Sequence, residues 1–513
     1  MRDASRQVTY GVGTRLKSPP SPELIDYFRS RLDAVTEHSF DASIDVSLAH
    51  VVMLSEERII SEEDAAKILQ LLLNMKGQGM KSFPFKPEMG DLLPNVENYV
   101  ISQLGDQVGG KFHTGRSRGD YYVALSRLEF RHATVQVLQE ALNFRRALID
   151  LAQRHVDSLM PGYTHMQHAQ PVTLAHYLLA FVHELERDFD RLRAAFDRVN
   201  VSPMGLGIIA TTSYPLNRER TAELLGFRGL IRNGRDLSDR DYVLELASAA
   251  GILMMHLHKL ASDLYNWSTS EFGMVRVADE DAVTSSMMPQ KANPVLIELV
   301  RAETGAVYGW VMAAFATLKG SSANNTEITE ADHPGLEALS KSARALQTFR
   351  GMLPRLTFNS SRMAALAGEF WTQATDLADL LVRETSISFR QAHRVVGALV
   401  SHAYDLSLRP RDVTPAMLDD ISARVLGRPV GLDANKLAGA LDPWKGVVNR
   451  RLVGGPSPEV VTLAITAARS QLATQTAALD QLVNGLAAAS SHLEAVARGI
   501  HGRAPQRREE TIT

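Results

Sequence analysis

Apolar side chains recur at alternating intervals of four and three through the middle of this chain. Between Asp239 and Trp267 the positions Val243, Ala247, Ala250, Met254, Leu257, Ala261 and Leu264 keep that step without a miss, the spacing of a helix with one continuous seam. Thr173 to Val199 carries a second stripe through Leu174, Leu178, Phe181, Leu185, Phe189, Leu192, Phe196 and Val199, with charges on the opposite face. A third helix is predicted from Pro294 to Leu318 and a fourth between Asp120 and Leu159. Stripes this long must be buried against one another, so residues 114–360 are expected to form an elongated bundle. Small residues in the seam predict close approach by helices of other subunits, hence a homo-oligomer.

On either side the period changes. Residues 1–113 mix short helical patterns, such as Val46–Leu54 and Glu62–Met75, with Pro- and Gly-rich breaks, and predict a small helical domain with long loops. Residues 361–465 return to short helices punctuated by Gly427-Arg428-Pro429 and Gly454-Gly455-Pro456, a further small helical domain. Within 466–513 an Ala-rich helical run ends in a tail, His501–Thr513, expected to be disordered. Strand signals are sparse throughout, so the fold class is all-α.

Composition narrows the partners more than the fold. The 513 residues are 45% hydrophobic and 22% charged, which suits a large buried core. Fifty-five basic against 58 acidic side chains leave a net charge of -3, so neither nucleic acid nor an anionic membrane is called for, and a small molecule is the expected partner. The absence of cysteine excludes disulfides, thiolate nucleophiles and Cys-based metal centres, and fits a reducing cytoplasm. The first residues contain no apolar leader core and no uncharged apolar run reaches eighteen residues, so neither export nor membrane insertion is expected.

Candidate chemistry concentrates in Thr284–Glu298, TSSMMPQKANPVLIE. Ser285 and Ser286 offer hydroxyls, Lys291 a positive charge and Asn293 an amide, in a loop that leads into a helix. Asn293-Pro294 reads as a cap followed by proline at the first helical position. A helix N-terminus beside a lysine favours a carboxylate or an enolate-like dianion, and could stabilise a serine alkoxide as a general base. The plain alternative is a polar loop with an ordinary capped helix. Pro161–Pro171, PGYTHMQHAQP, reads as a loop between two long helices that could hold a polar ligand, and metal ligation by His165 and His168 is the weaker reading because no carboxylate follows nearby. His113–Asp120, HTGRSRGD, precedes a long helix and offers Ser117 and Arg118 to a carboxylate, or else caps that helix. His256 and His258 read as ordinary histidines of the seam helix. Walker and H-E-x-x-H patterns do not occur.

Taken together, SSMMPQKANP, HTGRSRGD, MPGYTHMQHAQPVTLAHY, VSPMGLG, YPLNRERTAELLGF, SDRDYVLE and ATDLADLLVRETSISFRQAH closely resemble the argininosuccinate lyase branch of the fumarase/aspartase superfamily, over about residues 40–465. The resemblance implies three helical domains, with the central bundle carrying a catalytic loop at 284–294 and forming the core of a homotetramer whose sites are shared between subunits. It implies anti elimination of fumarate from an N-substituted aspartate, without a cofactor or metal. Ser285 would take the Cβ proton, and Lys291 and Asn293 would hold the aci-carboxylate dianion. Thr164 and His165 would contact substrate, with His165 tuned by Glu298 and acting on the leaving nitrogen, while Ser117, Arg118 and Ser286 would bind substrate.

The sequence departs from the family pattern where the amine would lie. Gly119 stands where an asparagine is usual, Ala292 and Val295 replace a lysine and an aspartate, and Asn325, Glu330 and His333 occupy the places of the Tyr, Gln and Lys that face the arginine half. Such changes alter discrimination. A different amine, as in relatives that cleave ethylenediamine-disuccinate, is therefore a second expectation. An inactive, crystallin-like structural relative is the reading from another class.

Overall fold

The computed structural model describes residues 15–16, 18–320 and 326–503. It opens on helices α1 (Pro22–Asp33), α2 (Glu37–Glu56), α3 (Glu62–Gln78), α4 (Leu92–Leu104) and the single turn α5 (Asp106–Gly109). The long helices follow as α6 (Arg118–Arg154), α7 (Leu174–Val199), the short α8 (Arg218–Leu224), α9 (Asp241–Trp267), α10 (Val295–Thr317), the short α11 (Thr326–Glu330) and α12 (Asp332–Met352). Beyond them lie α13 (Ser360–Glu369), α14 (Ala374–Glu384), α15 (Phe389–Asp405), α16 (Pro415–Leu426), α17 (Ala434–Ala440), α18 (Pro443–Asn449) and α19 (Pro458–Arg503). Strands among the described residues occur only in two-stranded pairs.

Local sequence sets where these helices start. Ser21, Thr36, Ser61, Thr173, Ser388 and Thr414 stand extended before α1, α2, α3, α7, α15 and α16, each accepting a backbone N–H of the first turn. Such a cap contributes about 1 kcal/mol. In α16 the cap is followed by Pro415, and the helix stops at Gly427, whose φ of 78° suits glycine.

All seven seam positions of α9 are at most 1% exposed, buried against α7, α10 and α12. By length and composition alone α9 could cross a membrane, but its seam lies inside the bundle, as befits a core helix. The α7 stripe is buried in the same core. The seam's small residues are therefore covered by the chain's own helices, which corrects the role the sequence reading gave them. What stays open is the outer face of α10, where Tyr308, Met312 and Phe315 are 45%, 66% and 46% exposed at helical spacing.

A second apolar cluster joins α2, α3 and α4 to the first turns of α6, through Phe40, Leu69, Val96 and Tyr121. Leu493, Ala497 and Ile500 of α19 complete it. The Ala-rich run is thus part of one uninterrupted 46-residue helix that crosses position 465 and packs on α2, α3 and α6. Its helical turns reach Arg503, into the segment expected to be disordered, and the remainder of that segment lies outside the described residues. A third cluster, from Trp371 to Leu441, unites α14 to α17.

The stretch Pro161–Pro171, expected to be a loop, is a β-hairpin of β1 (Leu159–Thr164) and β2 (Gln167–Thr173). His165 and Met166 form its two-residue turn with φ of 53° and 57°. Both central residues at positive φ define a type I′ turn, normally signalled by Asn-Gly, so His-Met gave no warning of it.

Candidate active site

The chain turns back on itself just before α10. Val283–Thr284 pairs antiparallel with Ala292–Asn293, and the Ser285 amide donates to the Lys291 carbonyl at 3.2 Å. This short ribbon gathers Ser285, Ser286, Lys291 and Asn293, with Glu298 exposed in the first turn of the helix that follows. The backbone amides of Met287 and Met288 donate to Ser285 Oγ at 3.3 and 3.0 Å. Two N–H groups aimed at one hydroxyl oxygen favour its ionised form, the property a serine base requires.

Helix α10 begins one residue later than the sequence suggests. Pro294, not Asn293, is the N-cap, and no side chain caps the helix. The missing side-chain acceptor leaves the helix's partial positive charge available beside Lys291. Asn293 sits in the ribbon, so its amide is not engaged in capping.

Thr164 and His165 are exposed at the tip of the hairpin. Holding His165 and Met166 in the left-handed region costs of order 1–3 kcal/mol each, a strain typical of functional segments. Below the tip, a cavity of about 360 Å³ is lined by Tyr163, His165, Met166, Tyr177, Asp263 and Phe272, among others. His168 is stacked on Phe370 with centroids 4.3 Å apart, and its Nε2 lies 3.3 Å from Tyr163 Oη, so both contacts fix the hairpin. His256, by contrast, is a core histidine bonded to Asp188 at 2.6 Å, as its place in the seam suggested.

Ser117 is the N-cap of α6 in a reciprocal box: its hydroxyl accepts from Gly119 at 3.1 Å and its own amide donates to Asp120 at 3.0 Å. Asp120 is fully buried and also accepts from the amides of Gly205 and Gly207 at 3.1 and 2.9 Å. Burial pushes its carboxyl up to about 6, against the pull of those amides. Asp120 thereby ties the VSPMGLG segment to the start of α6, a role the sequence reading missed. A Cβ at Gly119 would lie 2.4 Å from Ile208 Cδ1, the end of an exposed side chain that would have to shift to admit it.

Arg118 is ion-paired to Asp91 at 2.5 Å rather than left open. Glu330 accepts from Arg31 Nη1 at 2.7 Å and Tyr27 Oη at 3.3 Å, both on α1. His333 packs edge-on against Trp310, with centroids 5.3 Å apart. Asn325 lies outside the described residues. Tyr27, Arg31 and Asp91 were not anticipated, although the four-residue spacing of Tyr27 and Arg31 places them on one helix face. Among the described residues no hydrogen bond or ion pair joins the serine ribbon, the hairpin tip and the start of α6. The expected pairing of His165 with Glu298 is not made within one chain.

Bundle and ribbon together define a helical lyase of the fumarase and aspartase type. A family model described as "Lyase" matches residues 27–309, and one described as "Argininosuccinate lyase C-terminal" matches residues 371–447. The argininosuccinate lyase of Methanothermobacter thermautotrophicus is 40% identical over 84% of this chain and 93% of its own length. That of Methanococcoides burtonii is 38% identical over 91% and 94%. A crystal structure of EDDS lyase in complex with formate is 30% identical, superposes with a TM-score of 0.85 and covers 96% of this chain and 98% of that one. The chain belongs to the argininosuccinate lyase family.

Proposed function

We propose that this lyase is cytoplasmic and eliminates fumarate from an N-substituted aspartate, with argininosuccinate, cleaved to arginine and fumarate, as its substrate. The observation that carries the reading is the Ser285 hydroxyl, held by two backbone amides in the ribbon that also carries Lys291. Ser285, as alkoxide, takes the Cβ proton. Lys291, Asn293 and the start of α10 hold the two negative charges that collect on the neighbouring carboxylate. The C–N bond then breaks, the nitrogen leaves with a proton, and fumarate remains. The names of the most similar relatives support argininosuccinate, and retention of Ser285, Lys291, Asn293, His165 and Glu298 disfavours an inactive structural relative.

A homotetramer with sites shared between subunits belongs to the same proposal. It is supported by the separation of ribbon, hairpin tip and α6 start within one chain, and by the open apolar stripe on α10. The altered residues Gly119, Val295 and Glu330 favour a second amine, and the likeness to EDDS lyase makes ethylenediamine-disuccinate its natural test. Fumarate release from each compound, followed by ultraviolet absorbance with Ser285→Ala as control, tests the reading. Turnover of argininosuccinate lost in the variant supports it, turnover of the other compound alone replaces the amine, and silence from a folded oligomer overturns it.

A further inference from the structure

The hairpin that carries His165 is clamped directly below its turn. Tyr163 and His168 are register partners on β1 and β2, so their side chains share one face of the ribbon, while Thr164 and Gln167 share the other. A row of rings crosses the first face. Phe272, from the segment after α9, lies 5.8 Å from the Tyr163 ring, Tyr163 lies 4.9 Å from His168, and His168 stacks on Phe370 at 4.3 Å with the ring planes 25° apart. The Tyr163 hydroxyl adds contacts to His168 Nε2 at 3.3 Å and to Met274 Sδ at 3.9 Å.

Phe370 itself is placed by the small C-terminal domain. It lies in the link between α13 and α14, and its neighbour Trp371 is 6% exposed in the third apolar cluster at a φ of 59°. An aromatic residue stays in the left-handed region only where its surroundings hold it. Here the cluster holds one side, and on the other the Ala367 carbonyl accepts from Thr372 Oγ1 and, at 3.2 Å, from Gln373 Nε2. The far end of the hairpin is gripped from the same direction. Helix α18 packs on β2, and the carbonyl of Gly454, just beyond α18, accepts from Nε2 of His176 in the first turn of α7 at 3.0 Å.

A two-stranded hairpin standing alone is marginal in water, and this one also holds His165 and Met166 at positive φ. Its turn keeps that shape because rings on both sides support it. We propose that Phe370 is a positioning residue for the reaction: by stacking on His168 it fixes the tip that presents His165, and so makes the reactivity of the tip depend on the C-terminal domain. The assignment rests on the expected action of His165 on the substrate and names what holds that group in place. The competing explanation is that the stack merely fastens the domain to the bundle. Phe370 is 43% exposed, and the domain has its own cluster from Trp371 to Leu441, so loss of this one ring should unfold neither part.

Fumarate release from argininosuccinate by the full-length oligomer separates the two explanations. Phe370→Ala should lower kcat roughly 10-fold, the weight of an aromatic pair and of the misplacement its loss permits, with the melting temperature within about 3 °C of wild type. Phe370→Leu, which keeps apolar volume without a stack, should show the same loss and guards against a folding defect. Phe370→Tyr and His168→Phe keep the stack and should stay within about twofold of wild type, whereas His168→Ala should match Phe370→Ala. In a His165→Asn background Phe370→Ala should change kcat by less than about twofold, because the ring acts through that imidazole. Losses that multiply in the double variant, or a wild-type kcat in Phe370→Ala and Phe370→Leu, overturn this assignment alone. A His165→Asn enzyme with undiminished kcat overturns the reading of the hairpin tip along with it.

Discussion

Asp332→Asn is the change whose consequence follows most directly from the packing. Arg240, the N-cap of α9, is 1% exposed at its side chain, and its Nη1 reaches Asp332 Oδ1 and Oδ2 at 2.6 and 2.5 Å. It also donates to Ser126 Oγ at 2.9 Å and approaches Tyr242 Oη at 3.4 Å, while its Nε has no partner among the described residues. Three helices, α6, α9 and α12, are thus pinned by one buried cation with one counter-ion. Removing a partner from a buried pair costs about 3–5 kcal/mol. The amide oxygen of asparagine keeps one acceptor, which returns about 1 kcal/mol. Asp332 also opens α12, so losing its charge there costs a further ~0.5 kcal/mol. The balance is a destabilisation of about 3 kcal/mol. Urea unfolding at fixed protein concentration measures it, with tryptophan fluorescence as the signal, since Trp310 packs beside His333 in the first turn of α12. Adding Arg240→Met should return a large part of the loss by removing the stranded charge. A shift below about 1 kcal/mol, or no recovery in the double variant, would refute the reasoning, because a well-hydrated pair would behave that way.

Ser285→Ala should lower kcat by at least about 100-fold with little change in melting temperature, since it removes a proton acceptor from an exposed ribbon. Gly335→Ala places a Cβ 2.6 Å from Val243 Cγ1 and 2.8 Å from Phe130 Cζ, and should destabilise by about 1–3 kcal/mol in the same unfolding experiment. Asp120 has a folded-state carboxyl raised to about 6, so its contribution favours the folded state at low pH and is lost as pH rises through that value. Wild type minus Asp120→Asn should therefore lose about 3 kcal/mol of relative stability between pH 4 and 7, and a flat difference would contradict it. Met312→Asp, on the open face of α10, should shift sedimentation toward smaller species and reduce activity with them.

Helix periodicity carried most of the fold, because a seam such as Val243 to Leu264 has only one way to be buried. The serine ribbon was visible for a different reason: its residue types are crowded and nearly devoid of core formers. The hairpin was not visible, since its turn places His165 and Met166 in a backbone region their side chains do not advertise. The partners of Arg118 and Glu330 were hidden because Asp91 and Arg31 lie far from them in sequence, and ion pairs between distant segments leave no period. The cap of α10 was misplaced by one residue because Asn293 is drawn into the ribbon opposite Val283, a pairing that local propensity does not register.

Helix α19 imposes an order on the making of the protein. The apolar surface shared by α2, α3 and α4 is closed by Leu493, Ala497 and Ile500, some of the last described residues to leave the ribosome. At roughly 5–20 residues per second, that surface waits for tens of seconds after its own helices have been synthesised. The amino-terminal part of the chain is therefore born incomplete and depends on shielding during translation. A messenger truncated before the codons of α19 would yield a protein with an intact serine ribbon and an open, aggregation-prone flank.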